Sequence, residues 1–272
     1  MALYIMKLKR FHKIIFLIIL LYIAACITLY IKQESLLFPT NYASTMVEPW
    51  KPKSHISYEE MRIRSPKGLL YGLLWHAPNA RGTILYSHGN GEDIEDSQKF
   101  VPQFIDRGYN VLIWDYRGYG LSTGELGGQD SILADAESVY QWLLTEKSSK
   151  NIVFYGRSLG SGFAVYLAHK HPGHKVLLEA AYDSLNAVAQ DQYPIFPATL
   201  ILKYQMPSVE WVKNISTKIY MIHGTEDQVI QAAHPKILAK AAPNAILTMV
   251  KGIGHNGLSN TTTYNKWLAE AL

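Results

Sequence analysis

Cysteine is almost absent from the 272-residue chain. Cys26 stands alone, which excludes an intramolecular disulfide and any zinc site built from cysteines, though not an oxidising compartment. Low-complexity linkers and internal repeats are also missing, so neither a solenoid nor a string of tethered modules fits. Charge is sparse at 18%, but 48% hydrophobic and 12% aromatic residues exclude general disorder. An excess of one sign is confined to the start of the chain. Of 26 basic residues, Lys7, Lys9, Arg10, Lys13 and Lys32 lie in the first 34 positions, where the one acid is Glu34, leaving 21 basic and 21 acidic residues beyond. The body is neutral, and the pI of 8.9 belongs to the N-terminus. A nucleic-acid partner is therefore not expected, because no basic surface remains to hold phosphates.

What is present first is an uncharged apolar run from Ile14 to Ile31, long enough to cross a hydrocarbon core of about 30 Å. The basic cluster before it predicts a cytoplasmic N-terminus and everything after Lys32 on the far side of the membrane. Residues 1–32 are thus expected to be a basic stub and transmembrane signal anchor, and residues 33–272 one catalytic-size domain. Ile23-Ala24-Ala25-Cys26 resembles a lipoprotein signal, so an anchor lipidated at Cys26 is the alternative, with a cleaved signal peptide the third. The apolar run continues through Ile27, Leu29 and Ile31, where a lipoprotein turns polar, and this favours the uncleaved anchor.

Short apolar runs recur downstream at Thr83–Tyr86, Val111–Trp114, Ile152–Tyr155, Val176–Leu178, Lys218–Ile222 and Ala245–Val250, and predict buried parallel strands. Helix-period segments separate them, among them Ile132, Ala136, Val139 and Leu143, and Tyr264, Trp267, Leu268 and Ala271. The alternation predicts an α/β fold, a mostly parallel sheet covered on both faces. Ile56 to Trp75, around Ser65-Pro66-Lys67-Gly68, predicts an antiparallel hairpin ahead of it.

Gly156-Arg157-Ser158-Leu159-Gly160 falls directly after one predicted strand and before a helical segment. In that context a serine sits on a strained turn with its hydroxyl exposed, while glycines on either side let the chain double back. A serine needs a base, and the base a carboxylate that fixes its tautomer. Asp227 lies in the loop after the strand ending near Ile222, and His255 follows the strand ending at Val250 between Gly254 and Asn256. Glu226 and Asp183 are alternative acids. The turn Ser87-His88-Gly89-Asn90-Gly91 is placed so that the N–H of Asn90 joins that of Leu159 at one oxyanion, with His88 as a brace. Asp115 and Arg117 read as structural, Tyr116 and Tyr119 as candidate pocket wall.

Taken together, Gln33-Glu34-Ser35-Leu36-Leu37-Phe38-Pro39, His88–Gly91, Asp115–Gly120, Gly156–Gly160, His223-Gly224 with Asp227, and Gly254-His255-Asn256 resemble the single-pass, membrane-anchored branch of the α/β-hydrolase superfamily, often labelled serine aminopeptidase-like. The resemblance implies the α/β-hydrolase fold with a short lid insert at Tyr182–Ser216. It implies Ser158 as nucleophile, His255 as base, Asp227 as acid and the Asn90 and Leu159 amides as oxyanion hole, with no metal or organic cofactor. The expected reaction is acyl transfer through Ser158 on a small-molecule or lipidic acyl (thio)ester. A serine peptidase and a catalytically silent binding protein are the alternatives.

Overall fold

The computed structural model describes residues 2–39, 51–53, 55–65, 67–145, 147, 149 and 151–272; Pro66 of the expected hairpin turn lies outside them. Eight strands, β1 (Tyr58–Ser65), β2 (Gly68–Trp75), β3 (Gly82–Ser87), β4 (Tyr109–Trp114), β5 (Ile152–Arg157), β6 (Lys175–Glu179), β7 (Ile219–Gly224) and β8 (Ala245–Val250), form one sheet in the order β1-β2-β4-β3-β5-β6-β7-β8. β2 pairs antiparallel with β1 and β4, and every other pairing is parallel. Each expected strand is present, and the hairpin is β1–β2.

Among the described residues, ten α-helices accompany the sheet: α1 (Ala2–Leu37), α2 (Ile94–Ser97), α3 (Val101–Ile105), α4 (Gln129–Thr145), α5 (Gly160–Lys170), α6 (Leu185–Gln192), α7 (Ala198–Ile201), α8 (Ser208–Trp211), α9 (Ala233–Ala241) and α10 (Thr262–Ala271). Because successive strand residues face opposite sides, β5 sends Ile152 and Phe154 into a core shared with α4 and α5. The same strand sends Val153 and Tyr155 into a second core shared with α3 and α10. The strand order reverses at β3, whose neighbours are β4 and β5. In open parallel sheets such a reversal opens a crevice at the carboxyl ends of the strands. His88–Gly91 after β3 and Ser158 after β5 stand at that crevice.

α1 holds neither glycine nor proline, and Pro39 follows its end, so nothing in the sequence interrupts the helix before Leu37. Its most apolar stretch, with mean hydropathy 2.9, is not buried inside the protein. The helix runs past Lys32 and docks its last turns on the body. Gln33 donates to the Ile201 carbonyl at 3.1 Å and accepts from the Lys203 N–H at 2.7 Å, and the Tyr204 hydroxyl donates to Glu34 at 2.7 Å. Buried Phe38 packs edge-on against Tyr204.

Between β6 and β7 the insert carries α6, α7 and α8. One attachment is ionic: buried His234 of α9 meets Asp183 at 2.8 Å and Asp191 of α6 at 3.2 Å. Burial alone would lower the pKa of His234, but the hydrogen bond and charge of Asp183, joined by Asp191, raise it above the ordinary value. Below the sheet edge, the loop after β4 is fixed by Arg117, almost wholly buried, which donates to Asp135 at 2.5 Å, to Ser131 Oγ at 2.9 Å and to the Glu125 carbonyl at 3.0 Å.

Replacing Arg117 by alanine leaves Asp135 buried without its counter-charge, so chemical denaturation should show a loss of about 3–5 kcal/mol; a loss under about 1 kcal/mol, the level of an exposed pair, would contradict the buried-pair account. For His234 the folded pKa lies above the unfolded value of about 6.5. Its contribution is therefore complete below about pH 6.5 and is lost as pH rises through the folded pKa. Unfolding free energies of wild type and His234→Gln, measured from pH 5.5 upward, should converge with rising pH. A gap that widens with pH would refute the clasp.

Candidate active site

Ser158 takes φ 51°, a left-handed conformation that is rare for a residue with a side chain. The turn is held by its surroundings. The Ser158 N–H donates to the Glu179 carbonyl on β6 at 2.8 Å, and its own carbonyl accepts from the Ser161 N–H at 2.9 Å. A side chain at Gly160 would stand 2.0 Å from the Ser87 carbonyl oxygen, and one at Gly156 would stand 2.4 Å from that of Gly160. Only glycine allows β3, β5 and the start of α5 to approach this closely. Leu159 precedes α5, and no side chain caps the helix.

The structure brings Ser158, His255 and Asp227 together. His255 Nε2 lies 3.0 Å from Ser158 Oγ, and Nδ1 lies 2.8 Å from Asp227 Oδ2. A carboxylate only accepts, so Nδ1 carries the proton and Ser158 donates to Nε2. Asp227 is fully buried, and its other oxygen accepts from the Val229 and Ile230 N–H groups at 2.9 and 2.8 Å. Burial alone would raise this carboxyl; the hydrogen bond and charge of His255, then the Ile230 N–H and His223, hold it below the ordinary range. The alternative acids stand elsewhere. Asp183 is engaged by His234, and Glu226 is exposed, while the carboxylate that accepts from His255 is that of Asp227. His223 is buried against the Ile230 carbonyl, and His171 and His174 meet Glu137 and Tyr140 on the far side of α5.

The loop after β3 is braced beneath its backbone. His88 is fully buried, stacks on Tyr116 and bonds to the Gly89 carbonyl at 2.8 Å, while the Tyr116 hydroxyl donates to the His88 carbonyl at 2.6 Å. Burial lowers the pKa of His88 to about 4, so it is neutral and structural. Tyr116 and Tyr119 pack in this buried aromatic cluster rather than walling the pocket. Asn90 and Gly91, with Ser158, Leu159 and His255, line a cleft of about 1040 Å³. The Asn90 side chain donates to the Leu37 carbonyl at 3.1 Å, which ties the end of α1 to this loop.

Arg157, which the sequence reading passed over as the variable residue of Gly156–Gly160, links two loops and the end of β6. It contacts Glu92 of the β3 loop, donates to Glu179 at 3.3 Å and to Asn256, the neighbour of His255, at 2.6 Å. Burial would lower its pKa, but Glu179 and Glu92 outweigh that and raise it. The signal available in sequence was a charged residue ending an otherwise apolar strand.

A second, shallow cleft lies between α1 and the insert; Leu29, Leu37, Tyr193, Phe196, Ile201 and Leu202 supply much of its almost wholly apolar wall. Leu37 lines both clefts. Among the described residues, no group of three or more His, Cys, Asp or Glu side chains is placed to hold a metal ion.

Residues 78–190 match the family model described as Serine aminopeptidase, S33. The chain is 32% identical to alpha/beta hydrolase domain-containing protein 17C of Mus musculus over 192 residues, a match covering 69% of this chain and 58% of that protein. The Xenopus tropicalis counterpart is 30% identical over 212 residues, covering 76% of this chain and 67% of that one. Among solved structures, the Pyrococcus furiosus esterase Pf2001 superimposes with a TM-score of 0.67 at 18% identity, covering 85% of this chain and 95% of its own. Est1E from Butyrivibrio proteoclasticus gives 0.66 at 15% identity, covering 78% and 98%. The two solved structures share the fold; the identity to the curated relatives carries the descent, and the chain belongs to the α/β-hydrolase family of hydrolases.

Proposed function

We propose that the protein is a membrane-anchored serine hydrolase that cleaves carboxylic ester or thioester bonds of acyl substrates through Ser158, His255 and Asp227. The observation that carries the reading is the continuous chain from Ser158 Oγ through His255 to the buried Asp227, at 3.0 and 2.8 Å, ending on a strained turn inside a cleft. In the first step Ser158 Oγ bonds to the substrate carbonyl carbon as its proton passes to His255 Nε2. The N–H groups of Asn90 and Leu159 receive the oxyanion, each worth about 2.7–4 kcal/mol in such sites. Collapse expels the leaving group with the proton from His255, and water then releases the acyl group by the same sequence. Asp227 holds the Nδ1 proton and stabilises the imidazolium.

The apolar cleft beside α1 supports acyl substrates, because Leu37 lines both it and the Ser158 cleft. A peptidase acting at a free amino end needs a carboxylate for the amine. Among the residues lining the Ser158 cleft the acid is Glu92, and Arg157 already holds it. We place residues 33–272 on the non-cytoplasmic face, with α1 as the single span, from the basic cluster ahead of it.

Ser158→Ala and His255→Ala should each reduce ester hydrolysis to near background, since nucleophile and base act as a unit, and Asp227→Asn should cost up to about 10⁴-fold in kcat. A folded Ser158→Ala protein that keeps more than about a tenth of wild-type kcat/KM would overturn the assignment. On p-nitrophenyl esters, kcat/KM should rise several-fold from acetyl to medium chains, each buried methylene contributing at most about 0.8 kcal/mol. A profile falling steadily from acetyl, or faster cleavage of aminoacyl amides, would reject the acyl cleft.

A further inference from the structure

The segment from Tyr193 to Leu202, joining α6 to the end of α7, contains no charged residue. Three of its large side chains face outward: Leu200 is 82% exposed, Ile195 72% and Tyr193 49%. Outside α1, Val229 and Ile237 are the other large hydrophobic residues this exposed among those described. Three of five therefore fall in one ten-residue stretch. Clustered exposure of this kind marks a surface that meets another apolar phase.

The segment runs alongside α1. Near its polar end, Ile201 and Lys203 bond to Gln33, and the Lys203 ammonium lies 4.6 Å from the centre of the Tyr30 ring. Tyrosine and lysine together are the usual markers of the membrane–water boundary. At the other end Phe196 stacks parallel on Tyr22 at 5.8 Å, and the Tyr22 hydroxyl donates to the Ile195 carbonyl at 2.8 Å. Tyr22 stands in the middle of the uncharged run 14–31 and eleven residues before Gln33, about 16 Å along the helix axis at 1.5 Å per residue. The contact with Tyr22 is thus at the level of the hydrocarbon, not of the headgroups.

Irregular backbone is tolerated at that depth only if its polar groups are satisfied within the protein. Here every carbonyl from 193 to 197 has a donor. Tyr193 accepts from the Phe196 N–H, Pro194 from Gln190 Nε2, Ile195 from Tyr22, Phe196 from the Ala198 N–H and Pro197 from the Leu200 N–H. Pro194 and Pro197 have no N–H to satisfy.

We propose that Tyr193–Leu202 is a second membrane element, inserted beside α1 into the leaflet on the catalytic side, so that the apolar cleft between the two opens into lipid and admits an acyl chain toward Ser158. The proposal rests on the reading of α1 as a membrane span. The test uses the full chain with Cys26→Ser in phosphatidylcholine vesicles, carrying a polarity-sensitive dye on a cysteine at Ile195→Cys, Leu200→Cys, Ile18→Cys or Ile237→Cys. Quenching by mid-chain spin-labelled lipid is measured for each. Dyes at 195, 200 and 18 should be quenched several-fold more than the dye at 237, with blue-shifted emission. Strong quenching at 18 with 195 and 200 no different from 237 would overturn the insertion and leave the anchor standing. No quenching at 18 would overturn the anchor and this proposal with it. Sites 195 and 200 report independently, so a dye that disturbs one position does not decide the result.

Discussion

The close approach of β3, β5 and the start of α5 is the constraint on which the site depends. Ser158 is held at φ 51° at a cost of about 1–3 kcal/mol, and the surrounding structure leaves it no alternative. On one side Gly160 presses on the Ser87 carbonyl, on the other Gly156 passes under the first turn of α5, and the Ser158 N–H is taken by β6. The hydroxyl is thereby aimed into the crevice where the strand order reverses. The loop of Asn90 ends up beside the start of α5 because both are fixed by the same contact.

Around that strained turn the polar groups are locked in pairs. Arg157 gathers Glu92, Glu179 and Asn256, which joins the loop of Asn90 to the loop of His255 through the residue next to Ser158. Glu179 also accepts from Tyr155, which contacts Tyr264 of α10. Arg157 and Glu179 are both buried, so removing one leaves the charge of the other without its partner. His88, neutral and stacked on Tyr116, supports the loop of Asn90 from beneath.

Much of this was legible because strand and site share one signal. Ser158, Asp227 and His255 each follow a short apolar run within a few residues, so their common sheet edge follows once the runs are taken as parallel strands. Chain order leaves Asp183, Glu226 and Asp227 all open, since each lies between Ser158 and His255, and the position after a strand is what favours Asp227; that Asp183 is bonded to His234 instead depends on a contact 51 residues away. Arg157 was not legible as a hub, because its partners Glu92 and Asn256 are 65 and 99 residues distant. Nor did hydropathy indicate that the helix continues to Leu37 and reaches the Asn90 loop. That continuation depends on Gln33 and Glu34, polar residues whose partners, Lys203 and Tyr204, are 170 positions away. Tyr116 and Tyr119 were misplaced as pocket wall for a related reason: an aromatic-rich loop reads the same whether its rings face a cleft or a buried histidine.

The central claim is that Ser158 is an activated nucleophile, not an incidental hydroxyl in a silent hydrolase fold. Treating the full-length protein with a fluorophosphonate and locating the adduct by peptide mass spectrometry tests it directly. The account predicts a single adduct on Ser158, abolished in His255→Ala. Ester hydrolysis by a protein that carries no adduct, or an adduct on a different residue, would contradict it.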